Sequence, residues 1–315
     1  MNSHTIPHLT ASQLDELDLR AQNIIDILQR LIGQNSEGKV WSAPKAVITP
    51  PDGRYVMATL ALMDEPPLVA TKSLVLNDNN RKQGLPQING LVTVLDGENG
   101  IPLATIDGNW ITGIRTAGLS AVAAHHLARN DAKSVAFIGT GVQAHSHLQL
   151  FAQMFPLELV RILGRGQKNI DLLAEFATSL GLASEICTTP EQAVPDSDLV
   201  VSSVTHTSLS EPILSAEWLS PGSFASSVEL GVAWDKSSFK CLDILCIDDL
   251  EQEAVLPNKL ADPDDVSGDL AGLIGGKTPA RTNTTEKTAF VFRGHALGDL
   301  ALAALAYLAH ADRST

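Results

Sequence analysis

The stretch that decides the fold is residues 135–144, VAFIGTGVQA, in which four apolar residues lead directly into Gly139-Thr140-Gly141-Val142-Gln143-Ala144. The loop has the pattern Gly-x-Gly-x-x-Ala, and residues of helical character follow it. In a strand–turn–helix segment of this kind, the first glycine permits a tight turn and the second lets the backbone approach a pyrophosphate. The third small residue lets the helix pack closely on the strand. We therefore predict that this loop binds the diphosphate of a nicotinamide dinucleotide.

Short apolar runs alternate with helical stretches on both sides of the loop. Alternation of this kind is typical of a parallel sheet with crossover helices. The expected strands are 134–138, 159–163, 184–187, 198–204, 223–228 and 242–247, and the expected helices are 116–129, 145–155, 168–180 and 190–195. Residues 259–285 are rich in Asp, Gly, Pro and Thr, so we expect a surface excursion there.

The first third of the chain has a different pattern. Residues 10–13 have the spacing of a helix capping box, and apolar residues then recur at helical intervals as far as Leu31. Between residues 40 and 95, β-like runs are divided by Pro- and Gly-rich turns, which predicts an antiparallel sheet. A last helix is expected at 296–309.

Composition limits the functional classes. The chain has 315 residues, enough for two domains, and 22 Lys and Arg against 36 Asp and Glu give a formal charge of −14. This charge argues against nucleic acid or an anionic membrane as a partner. Three cysteines without C-x-x-C spacing predict neither a disulfide framework nor a metal site. Because no signal peptide and no long apolar run is visible, we expect a cytoplasmic protein.

The segment after the second expected strand indicates the preferred cofactor. NAD-specific sites usually carry an acid about twenty residues past the glycine loop, where it binds the ribose 2′-hydroxyl. Here residues 164–168 read Gly164-Arg165-Gly-Gln-Lys168, with no acid and two cations that can meet a 2′-phosphate. We therefore predict NADPH as the preferred cofactor, with NADH tolerated.

Histidines near the expected strands suggest no metal centre. Thr205 and His206 follow the fourth strand of the series, where a loop normally lines the nicotinamide pocket of such a sheet. His145 and His147 are two residues apart on an expected helix, so they do not share a face and make a poor metal site. No metal is expected.

Several blocks together resemble the signature of the ornithine cyclodeaminase/mu-crystallin family. They are residues 112–117 (TGIRTA), 127–129 (LAR) and 138–144, together with Lys72, Asn79 before 84–86 (GLP), and 294–299 near the end. The resemblance covers nearly the whole chain. It implies an α/β fold in which a Rossmann dinucleotide-binding domain, 116–293, is inserted into an α+β substrate-binding and dimerisation lobe, 1–115 plus 294–315. It also implies a homodimer.

The resemblance implies roles for individual residues as well. Lys45, Lys72 and Arg115 fall where the family places contacts to a substrate carboxylate, and Lys72 and Arg115 are the expected catalytic residues. Asp299 either orders the nicotinamide side or is an ordinary acid at a helix N-terminus. The full set of expected cofactor contacts is Thr116, Gly139, Thr140, Gly141, Val142, Gln143, Ala144, Gly164, Arg165, Thr205, His206 and Asp299.

Two departures from the family bear on the reaction. Cyclodeaminases of the family carry a Glu before Met-Pro and an Asp in a glycine-rich loop. This chain has residues 55–58 (YVMA) and 227–232 (SVELGV) there, with Glu229 one residue out of register. A cyclic imine reductase needs fewer catalytic groups than a cyclodeaminase, because a protonated C=N is already electrophilic. We therefore predict NAD(P)H-dependent reduction of Δ1-pyrroline-2-carboxylate to L-proline and of Δ1-piperideine-2-carboxylate to L-pipecolate. The alternatives are an ornithine cyclodeaminase, an alanine dehydrogenase-like enzyme, and a non-catalytic binder of NADPH and a small ligand.

Overall fold

The structure is a computed structural model that describes residues 5–205 and 209–313. Its contacts divide the chain into two compact units. The first unit comprises residues 1–115 and 295–315, and the second comprises 116–294. Gly294, which we expected in the terminal range, falls in the second unit, because its backbone N–H donates to the Asp248 carboxylate there (2.8 Å).

The helices and strands follow one another in mixed order. The strands are β1 His8–Leu9, β2 Val40–Ser42, β3 Ala46–Ile48, β4 Tyr55–Asp64, β5 Pro67–Leu76, β6 Ile88–Asp96, β7 Pro102–Asp107, β8 Ser134–Ile138, β9 Leu159–Leu163, β10 Ala183–Ile186, β11 Leu199–Ser202, β12 Phe224–Ser227, β13 Ile244–Ile247, β14 Gly268–Asp269 and β15 Thr288–Val291. The helices are α1 Ala11–Asp15, α2 Ala21–Ser36, α3 Gly108–Leu127, α4 Val142–Met154, α5 Gln167–Ser179, α6 Pro190–Ala193, α7 Leu250–Val255, α8 Leu270–Ile274 and α9 Ala296–Arg313. Among these described helices none is long and apolar enough to cross a membrane.

The first unit is built on one mixed sheet. Its strand order is β1-β7-β6-β5-β4-β2. Strand β2 pairs with residues 61–63 of β4, and β3 pairs with residues 56–58 of the same strand. The ladders from β2 to β7 are antiparallel, which confirms the predicted sheet. Among the described strands of this unit, only the short edge strand β1 pairs in parallel. We did not predict β7, because it is short and begins at a proline. Helices α2 and α9 pack against each other, and α9 covers β4, β5 and β6.

The expected N-terminal helix is present in two pieces. Thr10 Oγ1 accepts from the backbone N–H of Gln13, and Gln13 Oε1 accepts from the backbone N–H of Thr10, so the predicted capping box is confirmed. The chain then turns at Asp18, whose φ of 49° is left-handed, before α2 begins. Because Leu28 and Leu31 of α2 are fully buried, the apolar stripe read from the sequence forms its packed face.

The second unit is built on a parallel sheet. Its order is β10-β9-β8-β11-β12-β15-β13-β14, and every ladder among the described strands is parallel. The predicted alternation of strand and helix is thus confirmed. The order runs in opposite directions from β8, towards β9 on one side and β11 on the other. Such a reversal is where parallel α/β sheets bind ligands, at the carboxyl ends of the strands.

Three details differ from the sequence predictions. Helix α3 begins at Gly108 rather than residue 116, because Asp107 Oδ1 accepts from the backbone N–H groups of Asn109 (2.9 Å) and Trp110 (2.8 Å) and caps the helix there. Strand β15 was missed because it is only four residues long and follows an irregular segment. The excursion at 259–285 is wrong in part, since Leu270 and Leu273 of α8 are buried.

Candidate active site

The glycine loop follows β8 with the backbone geometry that its glycines permit. Gly139 has φ 109°, a conformation that residues with a side chain rarely adopt, and a Cβ there would lie 2.8 Å from the carbonyl oxygen of Ser203. The N–H of Gly139 donates to the carbonyl of Leu163 (2.9 Å), which ties the loop to β9. Gly139 is therefore required by the turn itself.

Gly141 has a different role. A Cβ at this position would meet nothing within 4 Å, so the backbone is open on that side, and Gly141 precedes α4 without a side-chain cap from the described residues. The positive end of the helix dipole lies here. Ala144 is fully buried one turn later, as close packing of helix and strand demands. A dinucleotide diphosphate therefore fits the loop, approaching the open backbone at Gly141.

The other expected cofactor residues in and near the loop differ in how far their side chains are exposed. Thr140 is buried against Gly164, where a Cβ would lie 2.8 Å from the threonine side chain. Val142 is exposed, and Gln143 is half-buried. Arg165 is exposed just after β9, beside the strand that carries the glycine loop. A cation is thus available at the end of β9, as the predicted contact to a 2′-phosphate requires.

The remaining expected cofactor residues lie on other elements. Thr116 is buried in α3, one turn before Ser120. Thr205 follows β11, at the carboxyl edge of the second-unit sheet. His206 lies outside the described residues, so its predicted place in the pocket stays a prediction.

The two histidines of α4 are used within the protein. His147 is fully buried, and its Nδ1 donates to the carbonyl of Gln143 (2.7 Å), so Nε2 accepts from Ser120 Oγ (2.8 Å). Burial lowers the pKa of His147 to about 4 and keeps the ring neutral. His145 stacks on Phe176 instead. No group of three or more potential metal ligands occurs within residues 5–205 and 209–313.

In the first unit, three side chains from three elements meet at the buried carboxylate of Asp299 in α9. Lys72 of β5 and Arg115 of α3 both approach Oδ1 of Asp299, with Lys72 Nζ at 2.6 Å and Arg115 Nε at 3.2 Å. Thr59 Oγ1 of β4 donates to Oδ2 (2.8 Å). We call these four residues the Asp299 cluster. It joins both expected catalytic cations.

Burial sets the electrostatics of the Asp299 cluster. The Lys72 side chain has no exposed surface, and burial together with the neighbouring Arg115 lowers the pKa of Lys72 to about 8, although Asp299 acts in the opposite direction. Burial alone would raise the pKa of Asp299, but Lys72 and Arg115 hold it below its usual range. Lys72 and Arg115 with one carboxylate leave one net positive charge, which suits a monocarboxylate ligand.

Lys45 lies at the margin of this arrangement. It is half-buried in the segment between β2 and β3, and its charge contributes to lowering the pKa of Lys72. Its predicted contact with a substrate carboxylate stays a prediction. Asp299 was predicted to order the nicotinamide side, and what the structure shows is that both of its oxygens are engaged by the Asp299 cluster.

Glu229 forms a second buried acid group that sequence reasoning left open. Ser202 and Ser227, the last residues of β11 and β12, donate to its Oε1 at 2.8 and 3.0 Å, and Trp234 Nε1 donates to Ser202 Oγ (2.8 Å). Oε2 is buried and has no hydrogen-bond partner among the described residues. Burial raises the pKa of Glu229 to about 7. The only sequence signal was a lone acid after a β run.

Comparison with known proteins places this geometry in context. The family model described as the ornithine cyclodeaminase/mu-crystallin family matches residues 9–313, almost the whole chain. The chain belongs to this family. The sequence resemblance is thereby confirmed, and so is the α/β class of the fold.

Individual members of the family resemble the chain over most of its length. Ketimine reductase mu-crystallin of Rattus norvegicus is 30% identical over 251 residues, covering 76% of this chain and 75% of the relative. A solved Δ1-pyrroline-2-carboxylate reductase of Thermococcus litoralis, in complex with NADH and L-proline, is 25% identical with a TM-score of 0.89, and the match covers 98% of this chain and 99% of that one. An archaeal alanine dehydrogenase dimer with bound NAD shares the fold at 21% identity and a TM-score of 0.83, over 98% of this chain and 97% of that one. The chain is accordingly an oxidoreductase of this family.

Proposed function

We propose that the chain catalyses NAD(P)H-dependent reduction of cyclic imino acids, converting Δ1-pyrroline-2-carboxylate to L-proline and Δ1-piperideine-2-carboxylate to L-pipecolate. The observation that carries the proposal is the pair of cations, the buried Lys72 and the partly exposed Arg115, beside the single carboxylate of Asp299. A chain with such a cluster and a dinucleotide loop has what a small anionic imine requires. The likeness to a Δ1-pyrroline-2-carboxylate reductase supports the same substrate class.

Lys72 and Arg115 would hold the substrate through its carboxylate. The planar guanidinium of Arg115 offers paired N–H donors to a carboxylate, and the buried Lys72 adds a second positive charge. A ring held at one end loses most of its freedom to rotate, so its C=N bond is kept in one orientation. The loop residues Gly139 and Gly141 would hold the cofactor diphosphate, and the bound cofactor supplies the hydride.

NADPH is the proposed cofactor, with NADH also accepted. The residues at the end of β9 support this preference, since Arg165 and Lys168 are exposed there and no acid accompanies them. The T. litoralis reductase was solved with NADH, so use of NADH by this chain is equally consistent with its family. The proposed preference for NADPH over NADH depends on Arg165, with Lys168 as a second cation that can contact the 2′-phosphate.

We also propose that two copies of the chain associate through the sheet of the first unit. On β4, alternate residues face away from α9, and among them Leu60 is 47% exposed. Neighbouring strands add Trp41, Val75 and Leu91 as further exposed apolar residues. Exposed apolar surface of this kind usually marks an interface. A structural neighbour described as a dimer makes a second copy the favoured partner.

The test is a spectrophotometric assay at 340 nm with purified protein, both cyclic imines and both reduced cofactors. We expect oxidation of NADPH that depends on the imine and does not need ammonia. Arg165→Asp should shift the preference towards NADH by about tenfold or more, because a contact worth about 1.4 kcal/mol is lost. Glu185→Ala is the control, since Glu185 is on the neighbouring strand β10 and pairs with Arg161.

The same assay separates the alternatives. A cyclodeaminase would release ammonia from L-ornithine without net oxidation of the cofactor. An alanine dehydrogenase would need ammonia and pyruvate, and a non-catalytic binder would hold NADPH without turnover. Absence of imine-dependent oxidation with either cofactor would contradict the proposed function. An unchanged cofactor preference in the Arg165 variant would contradict only the assignment of the 2′-phosphate contact.

A further inference from the structure

In the Asp299 cluster, one carboxylate oxygen contacts two cations. Oδ1 of Asp299 accepts a hydrogen bond from Lys72 Nζ and lies 3.2 Å from Arg115 Nε in an ion pair, whereas Oδ2 accepts a hydrogen bond from the hydroxyl of Thr59. These contacts come from β4, β5 and α3, so three elements surround the carboxylate of α9. One oxygen thus lies between the buried ammonium of Lys72 and the partly exposed guanidinium of Arg115.

We propose that Asp299 is a positioning residue that keeps Lys72 protonated and directs Arg115 towards the substrate carboxylate. The inference rests on the proposed function, which makes Lys72 and Arg115 the carboxylate contacts. It differs from the expectation that Asp299 orders the nicotinamide side. Asp299 acts through the two cations and need not touch the substrate.

The charges around Lys72 explain why such a residue is needed. Lys72 is buried, and it is approached by Arg115 from α3 and by Lys45 from the segment between β2 and β3. Burial and both of these cations favour the neutral amine, and Asp299 of α9 is the acid that favours the ammonium form. Without Asp299, two cations would share a buried space with no counter-charge, and Lys72 would lose its proton first.

The geometry of Arg115 supports the second part of the inference. Its Nε lies 3.2 Å from Asp299 Oδ1, an ion pair without an aligned hydrogen bond, and among the described residues Arg115 makes no other ion pair. The guanidinium is planar and rigid, so holding Nε also sets the direction of the two terminal nitrogens. Those nitrogens are the fork that binds a carboxylate in two parallel hydrogen bonds. Asp299 thus leaves the fork available to a ligand.

Asp299→Asn is the decisive variant, because it removes the charge and keeps the shape. The direct readout is titration of Lys72 by NMR, in protein labelled at the ε-carbon of lysine, with Lys72→Met to assign the signal. We expect a midpoint near pH 8 in the wild type, and in the variant a midpoint at least about one pH unit lower. Asp52→Asn is the matched control, since it neutralises an exposed acid of the same unit that pairs with Arg54.

A second readout uses a ligand. Pyrrole-2-carboxylate, an unreactive planar ring with one carboxylate, is titrated by calorimetry in the presence of NADPH between pH 6 and pH 9. Wild-type binding should weaken as the pH rises through the midpoint of Lys72. In the Asn variant the weakening should begin at lower pH, so that at pH 8 the affinity falls by about tenfold relative to its own value at pH 6, the factor that corresponds to one pKa unit.

The outcomes distinguish the inference from the function on which it rests. A Lys72 midpoint that is the same in the wild type and the Asn variant overturns the role of Asp299, and so does an affinity of the Asn variant that equals that of the wild type at every pH. A shifted midpoint with no binding of the probe to the wild type supports the role of Asp299 and contradicts the proposed function. If the Asn variant does not fold, Thr59→Val gives the same test, with an expected shift of a few tenths of a pH unit in the same direction. No shift there overturns the inference.

Discussion

Glu229 is a buried acid whose environment differs from that of Asp299. Asp299 has two cations beside it, whereas Glu229 has neutral donors, the hydroxyls of Ser202 and Ser227 together with backbone N–H groups. Hydroxyl donors favour the charged form less than a cation does, so burial dominates and the pKa of Glu229 rises from 4.5 to about 7. At the scale of single residues, two buried carboxyls of one chain thus behave differently at neutral pH: Asp299 is ionised, whereas Glu229 is close to its midpoint.

This difference predicts how stability depends on pH. Glu229 binds its proton more tightly in the folded chain than in the unfolded one, so its contribution is complete below pH 4.5 and is lost as the pH rises through about 7. Glu229→Gln cannot lose that contribution. We expect the variant to gain stability relative to the wild type between pH 5 and pH 8, by up to about 3 kcal/mol.

The measurement is urea unfolding of both proteins across that range. Comparison of the two proteins cancels the other titrating groups, because they are common to both. Glu98→Gln, an exposed acid in the turn between β6 and β7, is the control and should follow the wild type. Parallel curves for Glu229→Gln and the wild type would show that Glu229 ionises normally.

At the scale of elements, two glycines of the strand–turn–helix segment, Gly139 and Gly141, have different structural roles. Gly139 makes the turn possible, because its φ is positive and the carbonyl of Ser203 leaves no room for a Cβ. Gly141 faces open space and has an extended backbone conformation that any residue adopts. The first glycine is therefore required by the fold, and the second is the position that we propose for the approach of the cofactor diphosphate.

Substitution by alanine tests this division. Gly139→Ala should lower the free energy of unfolding by about 1–3 kcal/mol, because it adds strain and a backbone clash. Gly141→Ala should leave stability within about 0.5 kcal/mol but weaken cofactor binding by about tenfold or more, because a methyl group occupies the approach of the diphosphate. The checks are thermal unfolding and fluorescence titration with NADPH. Equal cofactor affinity in Gly141→Ala and the wild type would argue against a diphosphate at that backbone.

At the scale of the whole molecule, the open face of the first-unit sheet decides the oligomeric state that we propose. Leu60 lies midway along β4 on that face, in register with Thr71 of β5 and, through it, Thr93 of β6. A charge placed there would be buried without a partner in a dimer but solvated in a single chain. The side chain of Leu60 is on the opposite face of β4 from Thr59, so the position tests association apart from the Asp299 cluster.

Leu60→Lys should convert a dimer into a chain of 33.5 kDa, measured by light scattering after gel filtration. Leu172→Lys is the matched control, because Leu172 of α5 in the second unit is exposed to a similar degree, 45% against 47% for Leu60. We expect the control to keep the mass of the wild type. If the wild type itself elutes as a single chain, the proposed dimer is wrong.

Local patterns explain which parts of the fold and of the site were predictable. The loop at residues 139–144 and the capping box at Thr10 depend on neighbours a few residues away, so spacing alone identified them. The alternating strands and helices of the second unit were predictable for the same reason. Strand β15 was not, because its place between β12 and β13 comes from pairing with strands far away in the chain.

The sequence by itself determined the alternation of strands and helices after the glycine loop, the loop itself and the membership of a family, because each rests on residues that are close in the chain or on blocks in a fixed order. Only the tertiary structure decided that Asp299 pairs with Lys72, which lies 227 residues earlier. The same holds for the buried Glu229, which accepts hydrogen bonds from Ser202 and Ser227. Contacts over such separations are formed when sheets and helices pack, and burial then sets the charge of each group. No periodicity along the chain encodes that packing.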